Sequence, residues 1–168
     1  MEIIGQIIGI IAMAIIVLSF QEKSNKKLFF IQTIGAFLFA VSYLLIKEYT
    51  GAILNAITIL RGLLFFFFVK KKNLIVLLIL EIAYVVAGGL TYSSWTSILP
   101  LVACVVETFF MWLNSGKIIR LARAYFVSPC WLVYNAISLA IGGIICEVFN
   151  IASVIVSFFR HKKDGFTD

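Results

Sequence analysis

The sequence predicts an all-α membrane protein: seven transmembrane helices, arranged as two parallel three-helix repeats joined by a linker helix, a 3+1+3 plan. Three observations carry this. The 168 residues are 62% hydrophobic and 13% charged, with a mean hydropathy of +1.09. A soluble domain is about 25% charged, and one of this size could not hide so much apolar surface from water. Apolar segments recur along the whole chain at about the ~20 residues that a helix needs to span the hydrocarbon. Finally, the cations gather at alternate segment ends.

In chain order the segments are 3–20, 28–46, 51–69, 74–90, 95–113, 118–139 and 143–159. The first follows Met1-Glu2 without the basic stretch of a signal peptide, and is expected to stay as the first helix. A polar turn, 21–27, separates it from the second, and Gly51 opens the third after the turn 47–50. The basic turn 70–73 precedes the linker helix, and the small polar turn 91–94 follows it. Gly116 marks the turn 114–117, and Gly142-Gly143 the last break. Runs 60–69 and 74–80 do not alternate, which argues against the ~10-residue alternating strands of a membrane β-barrel.

The first segment is followed by Lys23, Lys26 and Lys27, the third by Lys70, Lys71 and Lys72, the fifth by Lys117, Arg120 and Arg123. Arg160, Lys162 and Lys163 close the chain, so 12 of the 14 cations lie at alternate ends. Cytoplasmic ends carry the Lys/Arg excess, which places the N-terminus outside and the C-terminus in the cytoplasm. The net charge of +6 therefore reports membrane topology, not nucleic-acid binding.

A shift of 91 positions aligns the halves without a gap. Ser24 meets Ser115, Lys26 meets Lys117, Tyr43 meets Tyr134, Gly51 meets Gly142, and Lys71-Lys72 meet Lys162-Lys163. One transmembrane domain, 1–168, is expected, with repeats at about 3–72 and 94–163 and the linker at about 74–90. A three-helix unit ends on the side opposite its start, so a single linker helix makes the two repeats parallel. Transporters built this way place their solute site near the midplane between repeats.

The run Leu18-Ser19-Phe20-Gln21-Glu22-Lys23, followed by Leu28 and Gln32, resembles the bacterial inner-membrane YgjV family, over most of the chain. That resemblance implies a multi-pass protein of the bacterial inner (cytoplasmic) membrane. The 3+1+3 plan is also similar to that of the SWEET, PQ-loop and PnuC-like small-solute facilitators. At the positions of the Pro-Gln motif this chain has Phe20-Gln21 and Met111-Trp112. Those proteins carry asparagines on the third helix of each repeat, and here Asn55 and Asn150 lie there, displaced from symmetry by one helical turn.

Polar side chains inside a bilayer face protein or a water-filled cavity. Gly51, Asn55, Thr58 and Gly62 form one small, polar stripe, and Cys146, Asn150, Ser153 and Ser157 another. Such stripes either line a site or let helices pack closely. Together with Tyr43, Trp131, Tyr134 and Asn135, the residues Asn55 and Asn150 are expected to bind a neutral, ring-shaped, hydroxylated solute such as a sugar, nucleoside or vitamin. Equal depth suggests the ion pairs Arg61–Glu81 and Glu107–Arg123, as structural ties or a cytoplasmic gate. Glu147 has no partner at its depth, with Lys47 the nearest cation, which makes it a candidate proton carrier unless it reaches interfacial water. Pro100 and Pro129 are expected to kink their helices.

The function expected is a small-solute membrane transporter or facilitator. The alternative is a non-transporting inner-membrane scaffold, sensor or complex subunit. No HExxH, GxSxG or phosphate-binding glycine loop is present, so no enzyme is expected. The lone His161 and the isolated Cys104, Cys130 and Cys146 offer no metal site, and no cofactor is expected. Segment 143–159 lacks the lysine that a retinal Schiff base would need. The expected partners are the lipid bilayer and a small-molecule solute, with homo-oligomerisation open.

Overall fold

The computed structural model describes residues 1–68 and 73–160. Seven helices account for nearly all of them, with no strand among the described residues. They are α1 (Glu2–Ser19), α2 (Asn25–Leu45), α3 (Tyr49–Phe68), α4 (Leu74–Leu90), α5 (Ile98–Trp112, entered through a 3-10 turn, Trp95–Ser97), α6 and α7 (Ile141–Arg160). Helix α6 runs through three consecutive stretches: Gly116–Ala122, a π-helical turn Arg123–Val127, and Ser128–Ile137. Five helical spans (α1, α2, α3, Trp95–Trp112 and α7) are long and apolar enough to cross a membrane, while α4 is apolar with 17 residues.

Helices α1 and α7 bury a small and polar face and turn most of their large apolar side chains outward, as expected where the surrounding solvent is hydrocarbon. In α1 the buried residues are Gly5, Gly9, Ala12, Ile16 and Ser19, spaced at one face of a helix, while Ile3, Ile4, Ile7, Ile10, Ile11 and Leu18 are exposed. Gly9 and Gly142 let α1 and α7 meet backbone to backbone. Helix α2 lies between α1 and α3, α1 also packs on α7, α7 on α6, α6 on α5, and α5 on α3. The result is a ring of six helices, with α4 outside it against α3 and α5. The Tyr84 hydroxyl meets Thr58 Oγ1 at 2.9 Å and ties α4 to α3.

The turns are closed by backbone geometry. At the end of α2 the Glu48 N–H bonds the Tyr43 carbonyl at 2.9 Å, and Lys47 takes φ 66°. At the end of α6 the Ala140 N–H bonds the Asn135 carbonyl at 2.9 Å, and Leu139 takes φ 52°. Both are helix ends of the kind usually given to glycine. A non-glycine residue pays ~1–2 kcal/mol there. Leu139 is 73% exposed and loses little packing if shortened. Leu139→Gly is therefore expected to raise the thermal midpoint, by up to ~1 kcal/mol of stability after glycine's own entropic penalty. A melt in detergent checks it.

The helix ends do not keep the constant spacing of 91. Starts Asn25 and Gly116 are 91 apart, but ends Leu45 and Ile137 are 92 apart, as are starts Tyr49 and Ile141. The extra residue enters between the start and the end of α6, where the π-turn takes up one more residue than an α-turn.

Other expectations change as well. Pro100 lies in the first turn of α5, where a missing N–H interrupts nothing. Pro129 directly follows the π-turn. Of the cations behind the expected orientation, Arg120 and Arg123 are buried rather than at a solvated loop. Arg120 holds the Gly116 carbonyl at 2.9 Å and the Glu22 carbonyl at 2.5 Å, joining α6 to the turn after α1. Lys70, Lys71, Lys72, Lys162 and Lys163 lie outside the described residues.

Candidate functional site

A chain of four buried charges crosses the middle of the ring. Arg61 of α3 donates from Nη2 to Glu107 Oε2 at 2.8 Å and from Nη1 to Thr108 Oγ1 at 3.1 Å. Arg123, the first residue of the π-turn, donates from Nη1 to Glu107 Oε1 at 2.8 Å. Its Nη2 reaches Glu147 Oε1 at 3.0 Å and Oε2 at 3.3 Å. Asn150, one turn further along α7, donates to Glu147 Oε2 at 3.0 Å. The order Arg61–Glu107–Arg123–Glu147 alternates in sign and sums to zero, and it links α3, α5, α6 and α7. Arginine suits such a chain because its planar fork serves two carboxylates at once.

The π-turn has a local cause. Pro129 has no N–H to offer the carbonyl of Tyr125 one turn back, and its ring crowds that carbonyl. The backbone widens instead, and the Ser128 N–H bonds the Arg123 carbonyl five residues back. π-turns of this kind occur often at functional sites. Here the turn begins on the residue that bridges the two glutamates.

Beside the charge chain lies a cavity of about 40 Å³. At ~10–15 Å³ per water centre it holds about three waters. All six ring helices line it, and α4 does not. Several polar atoms at its wall have no hydrogen-bond partner among the described residues: Gln32 Oε1, Arg61 Nε and Arg123 Nε. Orphaned groups around a space of this size call for water or a polar ligand. One wall is aromatic: Tyr43 stacks on Phe39 at 5.9 Å and on Trp131 at 6.1 Å between ring centres. The Tyr43 hydroxyl donates to Asn135 Oδ1 at 2.5 Å, which joins α2 to α6.

Of the residues expected to bind solute, Tyr43, Asn55, Trp131 and Asn135 line this cavity. Tyr134 lies nearer the loops, where its hydroxyl accepts from the Gly51 N–H at 3.1 Å and donates to Glu48 Oε2 at 3.1 Å. Asn150 stands behind Glu147 and braces it. Of the expected ion pairs, Glu107–Arg123 is present. Arg61 turns to Glu107 rather than to Glu81, which has no ion pair among the described residues. Glu147 is not unpartnered: Arg123 reaches it from α6. The polar stripes divide. Asn55 and Thr58 face the cavity, while Gly62 packs against Thr33, and Ser153 bonds Val17 of α1 and Gln21 in the turn that follows it. Gln32, a cavity residue by position, was not singled out for the site by its sequence context, because one amide near a helix start carries no spacing signal.

These features define a polytopic α-helical membrane protein with a neutral ionic core beside a small polar cavity. The chain belongs to the Imp-YgjV family of bacterial inner membrane proteins, whose model matches residues 3–165. No curated protein and no solved structure matches it.

Proposed function

We propose that the protein is a transporter or facilitator of a small, neutral, polar solute in the bacterial inner membrane, with its site at the central cavity. The observation that carries this is the central cavity lined by all six ring helices, with hydrogen-bonding atoms at its wall that have no partner among the described residues. Its lining residues also correspond across the two halves of the chain. Gln32 and Arg123 are 91 apart, while Phe39 and Trp131, Tyr43 and Asn135, and Asn55 and Glu147 are each 92 apart. The ring is carried onto itself by the same correspondence, α1 to α5, α2 to α6 and α3 to α7. A site on the axis between two parallel halves, with α4 as the linker and all seven helices crossing the membrane, is the arrangement that this pattern supports. The orientation, N-terminus outside, rests on the cation distribution.

At about 40 Å³ the cavity is smaller than any sugar, so a solute of that size enters only when the halves part. Asn55 and Asn135 would hold its hydroxyls, and the Tyr43 and Trp131 rings its faces. Glu147 shares Arg123 with Glu107, so a proton taken up by Glu147 would free one arm of the guanidinium, a means of coupling. A second reading, a non-transporting scaffold or sensor, draws on the same small volume.

The test is flux into proteoliposomes across a panel of sugars, nucleosides, vitamins and amino acids. One chemical class is expected to enter saturably, with Asn55→Ala lowering the rate at least tenfold in folded protein. Flux no greater than in empty liposomes for every class would leave the scaffold reading.

A further inference from the structure

The ring closes at two seams between helices α1–α3 and helices α5–α7, and the two are built differently. At the first, α1 meets α7 along its whole length. Gln6 donates to the Leu139 carbonyl at 3.1 Å and accepts from the Ile141 N–H at 3.0 Å. Gly9 and Gly142 meet backbone to backbone. Towards the other end, Ser153 donates to the Val17 carbonyl at 2.8 Å and accepts from Gln21 at 2.8 Å. At the second seam, Arg61 supplies the hydrogen bonds that join α3 to α5 among the described residues. The other three charges of the core chain belong to α5, α6 and α7, so the chain crosses from one set of helices to the other only at Arg61–Glu107. Helix α4 covers this second seam from outside. Its Tyr84 is fully buried and meets Thr58 of α3, itself a cavity residue, at 2.9 Å. Gly88 packs on Leu101 of α5, and the Thr91 carbonyl that follows α4 accepts from Thr50 of α3 at 2.7 Å.

We propose that α4 is a strap across the α3–α5 seam, with Tyr84 as its catch, and that the ring opens by parting α3 from α5 while it pivots on the glycine contact between α1 and α7. The pivot is made of backbone contact and neutral hydrogen bonds spread along two helices, which a small rotation leaves in place. The α3–α5 seam instead depends on one ion pair. Parting a buried pair is costly unless water reaches both charges, and the cavity beside Arg61 and Glu107 has room for about three waters. An interface held at one point by a strap and one ion pair suits two discrete arrangements, closed and open, rather than gradual deformation. Helix α4 follows α3 and precedes α5 in the chain, so it can move with either side as the seam parts. The inference rests on the transport reading for the purpose of the opening alone, because the motion can be seen without any solute.

The experiment is pulsed electron double resonance on the full-length protein in lipid nanodiscs, carrying Cys104→Ser, Cys130→Ser and Cys146→Ser and a pair of nitroxide labels. One pair, on Leu60→Cys and Phe109→Cys, spans the α3–α5 seam. The other, on Ile11→Cys and Val148→Cys, spans the α1–α7 seam. All four natural side chains are exposed, so the labels face lipid. The expected result is a second population across α3–α5, longer by more than ~2 Å, and at least threefold larger in Tyr84→Ala than with Tyr84 in place. The α1–α7 pair is expected to keep one distance throughout. Tyr84→Phe, which keeps the ring and removes the bond to Thr58, is expected to act in the same direction, and it decides the matter if Tyr84→Ala does not yield folded protein. A single, unchanged distance across α3–α5 in all variants overturns the proposal. So does a change across α1–α7 as large as that across α3–α5, because the pivot is then not there. The flux panel is read separately: flux with a fixed α3–α5 distance removes the strap alone, whereas a parting seam without flux keeps the strap and removes transport.

Discussion

Glu107→Gln is expected to be among the most damaging single substitutions in the protein. Glu107 is the one group that both arginines share, with 2.8 Å bonds to each. Neutralising it leaves Arg61 with only the Thr108 hydroxyl, and leaves two guanidinium groups facing a single carboxylate, Glu147. Removing one partner from a buried pair costs ~3–5 kcal/mol, because the remaining charge stays buried without compensation. The expected result is a large loss of folded yield and thermal midpoint. A double-mutant cycle identifies the partner. Arg61→Met combined with Glu107→Met restores neutrality around Arg123–Glu147 and should be less harmful than the sum of the singles, whereas Arg61→Met with Glu81→Met should be additive. Strong coupling of Arg61 to Glu81 instead would contradict the charge chain described above.

Gly142→Ala is expected to lower stability by at least ~1–3 kcal/mol, the range for forcing atoms into a filled interior. A Cβ on Gly142 would lie 2.6 Å from the Gly9 carbonyl carbon and 2.8 Å from the Ile10 amide nitrogen. Both are backbone atoms of α1, so relief requires moving a helix rather than turning a side chain. Gly89 in α4 supplies the contrast, since a Cβ there meets nothing within 4 Å. Gly89→Ala should raise stability by ~0.5–1 kcal/mol, because alanine loses less backbone freedom in a helix. Parallel melts of the two variants check both. Equal effects would mean that α1 and α7 do not meet at these glycines.

The helix plan was legible because its signals are long and redundant. Apolar runs and polar turns place all seven helices to within a few residues. The central site was legible only in part. Tyr43, Asn55, Trp131 and Asn135 stand out as polar or aromatic groups on apolar helices, and they do share a cavity. The partner of Arg61 was not legible, because depth counted along neighbouring helices cannot say which face a side chain takes. Glu81 and Glu107 lie at comparable depth, and only the ring, with α4 outside it, selects Glu107. The one-residue slip was hidden too: a π-turn leaves no composition signal, and Pro129 alone suggests a kink as readily as an insertion. Glu147 looked unpartnered because depth was counted along each helix alone, which does not show that Arg123 reaches across to it from α6.

The cancellation of charge in the core has an electrical consequence. The membrane potential does work on a protein only through net charge that moves along the field, ~2.3 kcal/mol per elementary charge per 100 mV. Arg61, Glu107, Arg123 and Glu147 carry two charges of each sign, so shifting them together moves no net charge. A shift of this group as a unit therefore adds nothing to voltage dependence, whereas a proton carried by its carboxylates would add one elementary charge to what moves.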